Sequence, residues 1–142
     1  MGRKLLPLLV AFAFASLGQA KDKPTNFVVF LTDDLGWGDL ACYGHPVIQT
    51  PNLDKFAKQG MRFTQSYSAC GVCSPSRSSI LTGRTPYRNG VWRWIPGGHQ
   101  VHLRTSEITS AELLKAKGYE TCHVGKWHLN GKFNSKEQPQ PD

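Results

Sequence analysis

No low-complexity tract and no internal repeat interrupts the 142 residues, which excludes repeat architectures and compositionally biased disorder. Beyond residue 20 no stretch is apolar enough to cross a bilayer, so the mature chain carries no expected membrane span. The basic side chains form no run or arm but lie scattered, a poor footprint for nucleic acid. Cys70 and Cys73 make a Cys-x-x-Cys pair, yet no second such pair exists to complete a zinc site. Acidic residues are the scarcer charge, 10 against 17 Lys and Arg. What remains, 39% hydrophobic and 19% charged, is the composition of one ordinary globular domain.

The first twenty residues read as an export signal. Arg3 and Lys4 give a positive start, residues 5–17 are uncharged and apolar, and Gly18-Gln19-Ala20 offers small residues at a cleavage site. An uncleaved anchor is the alternative. The expected mature protein, residues 21–142, is therefore secreted or periplasmic, with no stable membrane insertion after cleavage. Setting Arg3 and Lys4 aside leaves 15 basic side chains against 10 acidic ones, a net of +5. That balance suits an anionic partner such as a sulfated or otherwise acidic glycan, and at least equally an ordinary solvated surface. The four cysteines, Cys42, Cys70, Cys73 and Cys122, allow three pairings into two disulfides.

Residues 26–32, Asn-Phe-Val-Val-Phe-Leu-Thr, predict a strand buried on both faces, as in a parallel sheet covered by helices. Asp33 and Asp34 follow at its carboxyl end, where open α/β sheets place ligands. Thr50-Pro51 predicts a helix start, with Leu53, Phe56 and Ala57 on one face and Gly60 as the stop. Alternation over residues 61–66 predicts a short second strand. A helix is expected from about Pro75 to Thr82, and Asn89-Gly90 signals a tight turn. Thr109-Ser110-Ala111-Glu112 is a capping box opening a helix that ends at Gly118, and residues 119–124 are a third strand candidate. This order fits an α/β sandwich without an internal domain boundary. Three strands make a thin sheet with a long open edge, so the chain is expected to be part of a larger domain.

The chemistry concentrates around Cys73. Pro75 near a helix start places Cys73 just before the first turn, where free backbone N–H groups and a partial positive charge bind a tetrahedral anion. Arg77 lies one turn on and can contact anionic oxygens bidentately. By themselves the residues leave bland alternatives open. Asp-Asp pairs are commonly turns or caps, a lone helix arginine is commonly exposed, and Cys70-x-x-Cys73 is compatible with a redox site at a helix N-terminus.

Three segments together resemble one family. Cys73-Ser74-Pro75-Ser76-Arg77 followed by Leu81-Thr82-Gly83-Arg84 resembles the first signature of the type I sulfatases, the arylsulfatase family. Residues 118–128, ending Gly125-Lys126-Trp127-His128, resemble that family's second signature, and Asp33-Asp34 with Gly36-Trp37-Gly38-Asp39 is a third match. The resemblance implies the N-terminal part of an alkaline phosphatase-like α/β sandwich, a mostly parallel sheet flanked by helices. It implies hydrolysis of sulfate esters; steroid, aryl and glycosaminoglycan sulfates all stay open, with sulfated polysaccharide favoured for an exported enzyme. It also implies that a maturation enzyme oxidises Cys73 to formylglycine. The hydrated aldehyde attacks sulfur, the alcohol leaves, and sulfate is later expelled by elimination, a step closed to a serine ester. Asp33, Asp34 and the oxygen at residue 73 would hold one divalent cation, Ca²⁺. Arg77 would hold the diol and Lys126 would contact sulfate and nucleophile oxygens. His128 would take the second diol proton. In an extended segment Lys126 and His128 would point to the same side. His99 and His102, near Trp92 and Trp94, are either a sugar subsite or plain loop.

The same device serves phosphonate and phosphodiester hydrolases, which these residues do not distinguish from sulfatases. Sulfatases of this type carry a second metal-binding pair, a histidine and a lysine further along their chains. Two aspartates make a weak calcium site, and these residues alone are expected to be inactive and poorly folded.

Overall fold

The computed structural model describes residues 24–138, 140 and 141, so the expected export signal lies outside the described residues. The chain divides into two compact units, Met1–Leu31 and Thr32–Asp142.

In the first unit the described residues have irregular backbone. The strand expected over 26–32 is not formed. Val28, Val29 and Phe30 are exposed, Phe30 by 90%. A strand exists only through its ladder, because its N–H and C=O groups point sideways to neighbours. No ladder forms along this run. The apolar signal is real, but the burial that it anticipates is not supplied.

The second unit is helical and looped. After a single 3-10 turn, Ala41–Tyr43, come α1 (Pro51–Gln59), α2 (Cys73–Thr82), α3 (Pro86–Asn89) and α4 (Ser110–Lys115). The strands expected over 61–66 and 119–124 are likewise absent. Among the described residues the one bridge is antiparallel, His102 to Asn130. The mostly parallel sheet is therefore not seen in these residues, whereas the helices largely are.

Proline at the first position starts α1 and α3, where a missing N–H costs nothing. Thr50 does not cap α1 through its side chain. Its hydroxyl instead donates to Asp54 Oδ1 at 2.8 Å and accepts from the Ala41 amide at 3.0 Å. The expected apolar face of α1 stays open, with Phe56 74% exposed. The capping box of α4 forms in full, Thr109 and Glu112 each satisfying the other's backbone N–H. Asn89-Gly90 closes α3, with Gly90 at φ 86° as its left-handed end, and is not a hairpin.

The core is small: Val91, Ile95, Leu103 and Leu129, with Leu81, Val101 and Trp127 against it. Leu103 N–H donates to the Leu129 carbonyl at 2.8 Å. The core thus pins the loop after α3 to the loop carrying Lys126 and His128, beside α2. Gly131 sits where this clamp closes. A Cβ there would collide with the His99 main chain. Among the described residues no helix is long and apolar enough to cross a membrane.

Candidate active site around Cys73

Helix α2 begins at Cys73 itself, one residue into the helix rather than ahead of it. Val72 is extended and offers no side-chain cap, so the first-turn amides have no capping partner from it. Cys73 and Arg77, four residues apart, share one side of the helix. Ser74 and Ser78 define a second stripe that is fully buried. The polar all-round sequence of α2 hides this division.

Arg77 is not an exposed helix arginine. It is 9% exposed, donating to the Lys126 carbonyl at 2.7 Å and to Asp33 Oδ1 at 3.1 Å. The Lys126 ammonium lies 2.7 Å from Asp33 Oδ2 and 3.3 Å from Cys73 Sγ. Asp33, Arg77, Lys126 and Cys73 therefore form one connected cluster. Lys126 and Arg77, donating hydrogen bonds, hold the Asp33 carboxyl below its ordinary pKa. Hydrogen bonds to Asp33 and then Cys73 raise the Lys126 ammonium above its ordinary value.

Asp34 takes a left-handed backbone at φ 52°, a conformation that aspartate tolerates. One ligand atom each from Asp33, Asp34 and Cys73 fall within 4.8 Å of one another. Two carboxylates suit a hard cation, while a thiol sulfur does not; an oxygen-bearing residue at 73 would complete a hard donor set.

His128 reaches the neighbourhood by another route. Its φ of 55° breaks the extended alternation that would align it with Lys126. Its Nε2 lies 3.0 Å from the Ile95 carbonyl. That oxygen only accepts, so Nε2 carries a hydrogen, and in the neutral ring Nδ1 holds the lone pair. Nδ1 is buried without a hydrogen-bond partner. Trp94 stands edge-on to the imidazole, ring centroids 5.4 Å apart.

The remaining histidines are locally engaged. His45 Nδ1 accepts from the Val47 and Ile48 amides and His99 Nδ1 from Val101. The four cysteines are all free thiols, so Cys70 and Cys73 are not bonded. A separate cleft of about 310 Å³, lined by Leu81, Leu103, Glu107 and Trp127, takes in none of the cluster.

Sequence reasoning missed the buried groups that hold α2 in place. Asn89 exchanges hydrogen bonds with Ser78 and accepts from the Val91 amide at 3.0 Å. The Ile95 amide donates to Ser74 Oγ at 3.2 Å. Arg84 donates to both oxygens of the buried Glu107. The available signal was the pair of serines at helical spacing beside the reactive stripe.

The sulfatase family model matches residues 25–140. Human arylsulfatase A is 48% identical over 127 residues, covering 86% of this chain and 24% of that protein. Rat N-acetylgalactosamine-6-sulfatase is 45% identical over 133 residues, covering 88% of this chain and 25% of that protein. Among solved structures, one from a study of the metabolism of multiple glycosaminoglycans by Bacteroides thetaiotaomicron superposes with TM-score 0.64 at 44% identity. It covers 68% of this chain and 20% of that one. A second, Ps i-CgsB in complex with k-i-k-neocarrahexaose, gives TM-score 0.67 at 36% identity, covering 71% and 23%. The chain spans about a quarter of the length of the curated relatives that it matches. With the family model covering nearly all of the described residues, the chain belongs to the sulfatase family.

Proposed function

We propose that this chain contributes the nucleophile end of a sulfuric ester hydrolase that acts on sulfated carbohydrate. One observation carries the reading: the Lys126 ammonium, the Asp33 carboxylate and the buried Arg77 converge on Cys73 at the start of α2. The ammonium favours a developing oxyanion at residue 73, and the two carboxylates beside it suit the hard cation that such chemistry uses.

In this reading a maturation enzyme converts Cys73 to formylglycine, whose hydrated aldehyde supplies the attacking oxygen. Asp33, Asp34 and an oxygen at residue 73 would hold a divalent cation, Ca²⁺, which would supply charge neutralisation to the site. Lys126, already 3.3 Å from the residue-73 side chain, holds a proton toward the anionic oxygens. Arg77 fixes Asp33 and the Lys126 main chain so that both face α2. His128 accepts a proton at Nδ1, since Nε2 is committed to Ile95. The free amides at the start of α2 add a further anion contact.

The substrate class rests on the relatives, one named for N-acetylgalactosamine-6-sulfate and one crystallised with an oligosaccharide. Residues 1–20 act as an export signal, so the working location is secreted or periplasmic. Residues 21–142 contribute part of an alkaline phosphatase-like sandwich.

The test is peptide mass spectrometry across Cys73 after coexpression with a formylglycine-generating enzyme. The expected product is an aldehyde at residue 73, trapped by a hydrazine probe. A Cys73 recovered only as thiol, or disulfide-bonded to Cys70, would overturn the reading.

A further inference from the structure

Helix α2 presents two stripes at helical spacing. Cys73 and Arg77 face the cluster, while Ser74 and Ser78 are fully buried on the adjacent face. The buried stripe is where the loop after α3 docks. Ser78 bonds Asn89 at the loop's start, and Ser74 Oγ accepts the Ile95 amide further along. Ile95 is itself 2% exposed, so its amide has no access to water as a substitute partner.

The same residue uses its other polar group on the imidazole. Ile95 C=O accepts from His128 Nε2 at 3.0 Å. A path of two hydrogen bonds and one residue of backbone thus leads from Ser74, the immediate neighbour of Cys73, to His128. Each link has a single acceptor–donor sense. The Ile95 amide only donates, its carbonyl only accepts, and so Nε2 must carry hydrogen.

We infer that Ser74 is a positioning residue that orients His128 through the Ile95 main chain, leaving the buried Nδ1 as the lone-pair nitrogen. The inference rests on the proposed role of His128, and it assigns that role's geometry to a hydroxyl that touches no substrate. Holding Ile95 from the turn that begins at Cys73 means that nucleophile and imidazole are referenced to one rigid element. With Ser74 truncated, the Ile95 amide loses its partner, the loop relaxes away from α2, and the carbonyl no longer meets Nε2. The edge contact from Trp94 holds the ring plane and leaves open which nitrogen bears hydrogen.

The experiment is ¹⁵N NMR on the intact chain, which reads the linkage whether or not residue 73 is converted to aldehyde. In the native chain His128 should show a hydrogen on Nε2, a scalar coupling across the bond to the Ile95 carbonyl carbon, and a slowly exchanging Ile95 amide. In Ser74→Ala, exchange of the Nε2 hydrogen and of the Ile95 amide should rise about tenfold, the factor carried by one net hydrogen bond, and the coupling should vanish. Ser78→Ala removes a hydroxyl of equal burial from the same stripe and should leave the coupling in place. A native His128 with its hydrogen on Nδ1, or an unprotected Ile95 amide, overturns the proposal even if Ser74→Ala does not fold. So does a coupling unchanged by Ser74→Ala, or lost equally in Ser78→Ala. Loss of aldehyde formation at Cys73 with these signatures intact would sink the catalytic reading alone.

Discussion

Arg77 has the most constrained environment of the charged side chains in the site, and it shows how one residue joins distant segments. Its guanidinium uses separate nitrogens for the Lys126 carbonyl and the Asp33 carboxylate. Lysine offers one point charge and cannot span both. Arg77→Ala should lower stability by about 1–3 kcal/mol through loss of its charged hydrogen bonds to Asp33 and the Lys126 carbonyl, seen as an earlier urea midpoint at unchanged slope. Arg77→Lys should recover less than half of that loss. The pH behaviour of Asp33 and Lys126 follows from the directions of their shifts. Asp33 is depressed, so its contribution is complete above about pH 4 and fades as pH falls through the lowered value. Lys126 is raised, so its contribution is complete below about pH 10.4 and fades above that. The pair should therefore stay ionised between about pH 5 and 9. A carboxyl ¹³C titration of Asp33 with a midpoint inside that window would contradict the assignment.

At the scale of elements, α2 is held by buried polar groups more than by apolar packing. Its buried residues are Ser74, Pro75, Arg77, Ser78 and Ser79, so hydrogen bonds specify how the helix docks. Asn89 is the hub, fully buried, and its amide reaches Ser78, Thr82 and the Arg84 carbonyl. Asn89→Ala strands the Val91 amide, while Ser78 Oγ keeps the Pro75 carbonyl as its acceptor, and should cost about 1–3 kcal/mol. Asn89→Asp keeps the acceptor but loses the donor, and it should rank between the two in thermal denaturation. Equal melting of Asn89→Ala and the native chain would show that the network does not dock the helix. Gly131 makes a complementary point about loops. Gly131→Ala should destabilise by about 1–3 kcal/mol, because the His99 main chain cannot retreat as a flexible side chain would.

At the scale of the molecule, the informative contrast among the described residues is between a core of four buried hydrophobic residues and many large exposed ones. Val28, Val29 and Phe30, exposed by 74, 77 and 90%, form a β-prone run without charge or proline. Such a run is a docking or aggregation surface. The purified chain should bind an apolar dye such as ANS and self-associate with rising concentration. Val28→Lys together with Phe30→Lys should reduce both, measured by fluorescence and light scattering. Unchanged association in that double variant would place the sticky surface elsewhere, with Phe56 on α1 the next site to test.

The sequence by itself determined what depends on near neighbours. The proline start of α1, the Thr109–Glu112 capping box, and the spacing that sets Cys73 and Arg77 on one side of α2 are all local. So is the identity of the motif residues that mark the family. Tertiary structure alone decided what depends on partners far along the chain. Asp33 and Lys126 meet across 93 positions, and Arg77 and Lys126 across 49. Periodicity carries no information over such distances, so the burial of Arg77 and the turn of His128 toward Ile95 were illegible. The apolar run at 26–32 failed as a strand for the same reason. A helix satisfies its own backbone, whereas a strand requires neighbours that no local pattern can supply. Cys73 was visible from its motif, and its surroundings only from the fold.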